Sequence, residues 1–220
     1  AGAGGAVDGS FIKFDGATDT LTLDTSNDDS FDSGDTAITL TGVNDTGFQA
    51  TNNAGDAVIT LNAVPALSNL DGDSASFQTG GSASLDAGGD ASVTDSDNSN
   101  FDGGSLSIAR GRSTPDGDLR LDGAVLAADD TVTVGGTDIG SVLTGNDGKG
   151  GNDLVINLDS DATPARVADL FEALDYTSSN DGTHTFTVTL ADGNGGASTA
   201  SSVGIDVNDP PPPPSPSPSP

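Results

Sequence analysis

The chain has 220 residues, of which 34 are acidic and 6 are basic, so its formal net charge is −28. Every acid except Glu172 is Asp, which favours turns and hard-cation coordination over helices. The lack of Cys excludes disulfides and thiolate chemistry, and a single His (His184) excludes multi-histidine zinc centres. No run of about 18 apolar residues is present, and a chain this acidic does not bind nucleic acid non-specifically. We therefore expect no enzyme activity, no nucleic-acid partner and no membrane insertion.

Apolar residues alternate with Thr and Asp in short runs, which is typical of half-buried antiparallel strands. A disordered acidic chain is compatible with the composition but would need no such alternation. Nine Asp-Gly pairs between the runs indicate tight turns. The sequence therefore predicts an all-β fold of antiparallel β-sandwich modules. The predicted strands are 11–14, 20–23, 37–40, 57–61, 105–108, 118–121, 131–134, 153–158, 184–190 and 202–207.

One segment, residues 161–174, predicts a short helix instead of a strand. Thr163 can serve as the N-cap and Pro164 as the first helical residue. Apolar side chains then recur at helical spacing and form one stripe, made of Val167, Leu170, Phe171 and Leu174. We expect this stripe to pack on its own sandwich, with a groove of a partner protein as the alternative.

Two strand runs end in a similar way, at Val64-Pro65 and at Asp209-Pro210, and this similarity indicates module boundaries. Residues 1–63 are predicted to be a small β module or part of a preceding repeat, and residues 66–209 a complete module. The tail 210–220 reads PPPPPSPSPSP and predicts a polyproline II spacer. Possible glycosylation sites are Asn44, within an N-x-T sequon, and the tail residues Ser215, Ser217 and Ser219.

A series of motifs follows in order through residues 66–210: Val93–Asp97, Gly150–Ile156, Ala162–Val167, Leu174–Ser178, Leu190–Gly196 and Val207–Pro210. Taken together, they resemble the bacterial cadherin-like repeats of large secreted, calcium-dependent adhesins and surface proteins. The resemblance implies a cadherin-like sandwich, an extracellular location and calcium within or between modules. The proline-rich tail departs from that pattern.

The distribution of acids independently favours calcium, which takes six to eight oxygen ligands from loops. Eight candidate ligands fall in three clusters: Asp95, Asp97 and Asn98; Asp192 and Asn194; and Asp206, Asn208 and Asp209. For any single Asp, a solvated turn carboxylate is the competing interpretation. We expect His184 to lie on a strand edge and to bind no metal.

We therefore expect an extracellular or cell-surface module with a structural or adhesive role, rigidified by calcium. Its expected partners are neighbouring copies or repeats of the same protein. The first alternative is a filament subunit whose N-terminal arm, residues 1–7, adds a strand to the next subunit, with residues 11–14 as the donated strand. The second is a calcium-dependent module that binds surface glycans, although the chain has no Trp and one Tyr.

Overall fold

A computed structural model of the chain describes residues 12–15, 20–23, 33–39, 48–53, 56–111 and 117–210. The chain divides into two compact units, one formed mainly by Ala1–Val64 and the other by Pro65–Gly193 and Ala197–Pro220. Strands dominate both units, and the described residues contain one short helix. The predicted all-β class is therefore confirmed. The polyproline II prediction falls on residues 211–220, outside the described residues.

The described residues of the first unit form five strands in two small sheets. Strands β1 (Ile12–Asp15), β2 (Thr20–Leu23) and β3 (Thr36–Thr39) form an antiparallel sheet in that order. Strands β4 (Phe48–Asn53) and β5 (Asp56–Leu61) form a hairpin. Four of these strands were predicted. Each of their ends agrees with the predicted bound or differs from it by one residue. The fifth, β4, carries a polar sequence that did not predict a strand.

The second unit is a sandwich with a seven-stranded and a four-stranded sheet. The larger sheet consists, in spatial order, of β13 (Thr131–Val134), β14 (Thr137–Asp147), β15 (Leu154–Leu158), β10 (Ser105–Arg110), β17 (Gly182–Ala191), β18 (Ser201–Asn208) and β7 (Ser74–Gln78). The smaller consists of β12 (Ala124–Val125), β11 (Asp118–Leu121), β16 (Leu174–Thr177) and β8 (Ser82–Ser84). A further pair joins β6 (Ala66–Ser68) to β9 (Ser92–Thr94). All pairings in the unit are antiparallel except that of β7 with β18.

The core lies between the two sheets because alternate side chains of each strand face inward. On β17, His184, Phe186, Val188 and Leu190 are buried, whereas the Thr residues between them are more exposed. The same alternation buries Leu119 and Tyr176 on the opposing sheet. Except for His184, these side chains belong to one continuous apolar cluster. The period of two in the sequence therefore corresponds to the inner and outer faces of the sandwich.

The predicted helix is present as α1 (Pro164–Ala173), with Thr163 as N-cap. The Thr163 hydroxyl accepts a hydrogen bond from the Arg166 backbone N–H at 3.4 Å. The helix contacts β8, β9 and β13, and the whole predicted stripe is buried: Val167, Leu170, Phe171 and Leu174. Packing on its own sandwich is thus confirmed. Leu174 caps the helix with extended backbone and is the first residue of β16. No helix in the described part of the chain is long and apolar enough to cross a membrane.

Candidate functional site

The third predicted cluster lies where β17 begins and β18 ends. These strands are antiparallel, with Gly182 opposite Val207 and Thr183 opposite Asp206. The residues before β17 and those after β18 therefore meet at one end of the sheet. They surround a cleft of about 370 Å³, which we call the junction cleft. Its lining is Asp181, Gly182, Thr183, Asp206, Val207, Asn208 and Asp209.

The junction cleft brings together three carboxylates and one amide, all exposed to solvent. Asp206 Oδ1 accepts a hydrogen bond from the Thr183 hydroxyl at 2.7 Å, which fixes one carboxylate beside the opening. Among the residues that the structure describes, no basic side chain lines the cleft. Among the described residues, one ion pair is formed, between Arg166 and Asp161 at 3.8 Å, and it lies elsewhere. The charge of the cleft is therefore left to solvent ions.

Of the three cleft carboxylates, Asp181 is the one that the sequence pattern did not predict. It belongs to an Asn-Asp-Gly turn directly before β17, and its position faces that of Asn208 across the strand pair. The signal that could have found it is the antiparallel pairing of neighbouring strands, since that pairing brings the start of one strand to the end of the next.

The first cluster, Asp95, Asp97 and Asn98, forms a turn of its own. Asp95 Oδ1 accepts hydrogen bonds from the backbone N–H groups of Asp97 and Asn98, each at 3.2 Å. The Asn98 side-chain amide lies 3.5 Å from Asp95 Oδ2. Burial raises the pKa of the Asp95 carboxyl above its usual value, and the Asp97 side chain raises it further, while the backbone donors lower it. The Asp95 carboxyl thus closes a turn, and a cation would compete with these donors.

The second cluster follows β17 at the opposite end of that strand. Asp192 is buried, with 1% of its surface exposed, whereas Asn194 is exposed. A strand of ten residues at about 3.3 Å per residue spans about 30 Å. Asp192 and the junction cleft therefore cannot share one ion, and the eight predicted ligands do not form a single site.

His184 does not lie on an edge strand, so that expectation was wrong. Its strand, β17, is paired on both sides, and the imidazole faces the core with 5% of its surface exposed. His184 Nδ1 lies 3.1 Å from the Tyr176 hydroxyl oxygen. The Arg110 guanidinium lies 5.5 Å from the Tyr176 ring centre and donates to the carbonyl oxygens of Gly117 and Gly148. One of the few cations is thus used inside the fold, which leaves the surface more acidic.

Within the described ranges, no three Asp, Glu or His side chains lie close enough together to form a metal-binding group. The junction cleft is therefore a loose set of oxygen ligands and not a finished coordination shell. The candidate glycosylation sites, Asn44, Ser215, Ser217 and Ser219, lie outside the described residues. Their modification stays a prediction.

No protein-family model, curated protein or solved structure matches this chain. The resemblance to cadherin-like repeats consequently rests on the sequence motifs alone.

Proposed function

We propose that this chain is a non-enzymatic structural module of an extracellular or cell-surface protein, in which calcium bound at the junction cleft rigidifies the end of the sandwich. One observation carries the proposal. Three carboxylates and an amide surround a single cleft, and none of its described lining residues is basic. That cleft directly precedes the proline-rich segment 210–220, so an ion there would fix the point at which the sandwich joins the tail.

The donor set of the junction cleft matches calcium better than other common cations. Calcium accepts carboxylate, amide and backbone oxygens together with water, in flexible geometry. Asp181, Asp206 and Asp209 would supply the carboxylates and Asn208 the amide. Magnesium demands near-ideal octahedral geometry and gives up its water reluctantly, and the cleft offers no thiolate or imidazole for zinc. The ion would also offset the mutual repulsion of the three carboxylates.

The loose arrangement of the cleft favours an extracellular setting. Because its acids do not form a compact group, binding would require the turn at Asp181 and the segment at Asp209 to close on the ion. A site that must be assembled binds weakly, and calcium sites of extracellular modules are tuned to about 10⁻⁴–10⁻³ M. We therefore place the module outside the cell, where its partners are neighbouring copies or repeats.

The filament alternative would need a change in the first unit. The proposed donor residues 11–14 overlap β1, which is already paired with β2 in the same chain. Strand donation would require β1 to leave that sheet or to pair through its other side. The glycan-binding alternative gains no specific observation and stays a prediction.

Calcium titration by isothermal calorimetry tests the proposal through a matched pair of variants. Asp206 and Asp138 are both exposed, and each accepts a hydrogen bond from a cross-strand Thr hydroxyl, at 2.7 and 2.6 Å. Asn can accept the same bond, so each Asp→Asn change removes only the charge. We expect Asp206→Asn to weaken calcium binding several-fold and Asp138→Asn to leave it unchanged. Absence of calcium binding by the wild-type chain, or an equal loss in both variants, would refute the proposal.

A further inference from the structure

The edge strand β7, with sequence Ser-Ala-Ser-Phe-Gln, lacks the usual protection of an edge. Within the described residues it pairs only with β18, and its register there is regular. It contains no charged residue and no Pro in a chain whose net charge is −28. Natural proteins usually protect edge strands with charges, Pro, bulges or covering segments, because an open edge can pair with another chain. An unprotected edge therefore indicates a surface available for pairing.

The opposite edge of the same sheet is protected, which makes β7 distinctive. Strand β13 follows directly after Asp129 and Asp130, and its pairing with β14 is irregular between Val132 and Thr133. Helix α1 also contacts β13. Acidic residues, a bulge and a neighbouring helix are three of the devices that discourage edge pairing. The two edges of this sheet are thus unlike, and of these two only β7 is open in the described structure.

The hydrogen bonds of β7 show which backbone groups face outward. Gly204 N–H donates to the Asp73 carbonyl at 2.8 Å, and Thr79 N–H donates to the Asn208 carbonyl at 2.9 Å. Since backbone groups alternate along a strand, the odd-numbered residues face β18 and the even-numbered ones face away. Ser74, Ser76 and Gln78 thus present N–H and C=O groups at the open edge, and the Gln78 carbonyl also accepts from Gly81 N–H.

We propose that β7 pairs antiparallel with β7 of a second copy of this chain, about a two-fold axis at Ser76. This register sets Ser76 opposite its own copy and Ser74 opposite Gln78, so the outward backbone groups meet. Ala75 lies opposite Phe77 of the other copy, a small side chain against a large one. Both are partly buried and face the core side of the sheet. The two seven-stranded sheets would then form one continuous sheet across a symmetric interface, the commonest kind in homo-oligomers.

The distribution of charge around β7 selects this antiparallel arrangement. Along the chain, the nearest acids before the strand are Asp71 and Asp73, and the nearest after it is Asp86. On the neighbouring strand β18, Asp206 lies beside Ser76. Antiparallel pairing about Ser76 sets Asp73 opposite the uncharged Thr79. Parallel pairing of the same strands would set Asp73 against its own copy, and like charges directly opposite each other destabilise a sheet. For a second copy of the chain, the antiparallel register therefore fits the outward backbone groups and keeps the Asp73 side chains apart.

Sedimentation of the full chain with matched edge variants tests the interface. Ser76→Asp places two like charges at the axis, and Thr131→Asp adds the same charge to the opposite edge. We expect the wild-type chain to form dimers that increase with NaCl, because the Debye length falls from about 10 Å at 0.1 M to about 3 Å at 1 M. Ser76→Asp should lose the dimer and Thr131→Asp should keep it. Thermal melts of both variants serve as the control that each of them is folded.

Cysteine cross-linking gives a second readout, since the native chain has no Cys. Residues in a hydrogen-bonded antiparallel pair have Cα atoms about 5.5 Å apart, within the range that a disulfide spans. Two thiols give up two protons and two electrons to oxidised glutathione, so Ser76→Cys should form a covalent dimer faster than Thr131→Cys. Equal cross-linking rates, a monomer at every salt concentration, or a polymer that continues beyond the dimer would overturn the proposal.

Discussion

At the scale of single residues, Asp side chains in different loops have different roles, which depend on the hydrogen-bond donors around them. Asp95 closes a half-buried turn beside Asp97, and its pKa is raised, first by burial. Asp147 accepts hydrogen bonds from the Asn152 side chain at 3.0 Å and from Lys149 N–H at 3.2 Å, and its pKa is lowered, first by Asn152. The abundant Asp residues therefore act as loop-closing groups as well as candidate ligands, and each must be judged by its neighbours.

The lowered pKa of Asp147 predicts a pH effect with a definite sign. Its stabilising contribution is present above the ordinary value of 3.8 and is lost as the pH falls through the lower folded value. Asn152→Ala should raise the pKa of Asp147 toward 3.8, as measured by NMR titration of the carboxyl group. The variant should be slightly less stable than wild type at neutral pH, and the difference should shrink in strong acid. An unchanged pKa would show that Asn152 does not stabilise the carboxylate.

Two glycines that flank β11 have similar backbone geometry but different surroundings. Replacing each by Ala should therefore have different costs. Gly117 and Gly123 have similar positive φ values of 71° and 76°. A Cβ at Gly117 would lie 2.1 Å from the Thr177 carbonyl oxygen, whereas Gly123 faces open space. In denaturant unfolding, Gly123→Ala should cost about 1–2 kcal/mol for the left-handed backbone alone. Gly117→Ala should cost clearly more, and equal costs would contradict the close packing at Thr177.

At the scale of elements, several sequence signals specify helix α1 independently of one another. Its N-cap, its Pro at the first turn and its apolar stripe agree with one another, and the structure follows all three. Only its end differs from the prediction. Leu174 starts β16 because that strand pairs with both β11 and β8, and neither pairing was visible from the local sequence.

The helix supplies the clearest packing prediction. Phe171 is 1% exposed within the core cluster, so Phe171→Ala should cost about 3–5 kcal/mol and unfold much of the second unit. Leu143→Ala offers a control, since Leu143 is 39% exposed and should tolerate truncation with little loss. Circular dichroism melts of the two variants measure the difference. A stable Phe171→Ala protein would contradict the packing of α1 on the sandwich.

The strands that could be predicted share an alternation of apolar residues with Thr or Asp. All ten predicted strands are present, and examples such as β13 and β11 match to the residue. Most of the missed strands lack that signal. Strand β16, with sequence Leu-Asp-Tyr-Thr, carries it, but its first residue was assigned to the helical stripe. Strands β7 and β8 are rich in Ser and Ala, and β14 carries a Gly and an irregular pairing with β15. The positions of β7 and β8 depend on β18 and β16, partners distant in sequence that local patterns do not encode.

The candidate site was predictable to a similar extent. Asp206, Asn208 and Asp209 were found because they are polar residues close together at a strand end, and the structure places them around one cleft. Asp181 was missed because it reaches the cleft only through the pairing of β17 with β18. The separation of the other clusters from this cleft likewise follows from strand direction, not from composition.

At the scale of the whole molecule, the net negative charge destabilises the folded state. The chain carries −28, and the single ion pair formed within the described residues is exposed. Self-repulsion of this kind destabilises a compact state and weakens with bound or screening cations. Calcium at the junction cleft would relieve it at a specific place, whereas sodium would act through screening alone. The two effects can therefore be separated by experiment.

The most direct test is the thermal melting of the full chain with calcium, compared with NaCl at equal ionic strength. At tenfold excess over Kd, a single site stabilises by about 1.4 kcal/mol. For a unit of this size, we expect a rise in Tm of about 3–6 °C from that free energy. Magnesium should do much less, and Asp206→Asn should lose most of the calcium-specific rise while Asp138→Asn retains it. If NaCl reproduces the whole shift, or if Asp206→Asn melts as the wild type does, calcium does not rigidify this module.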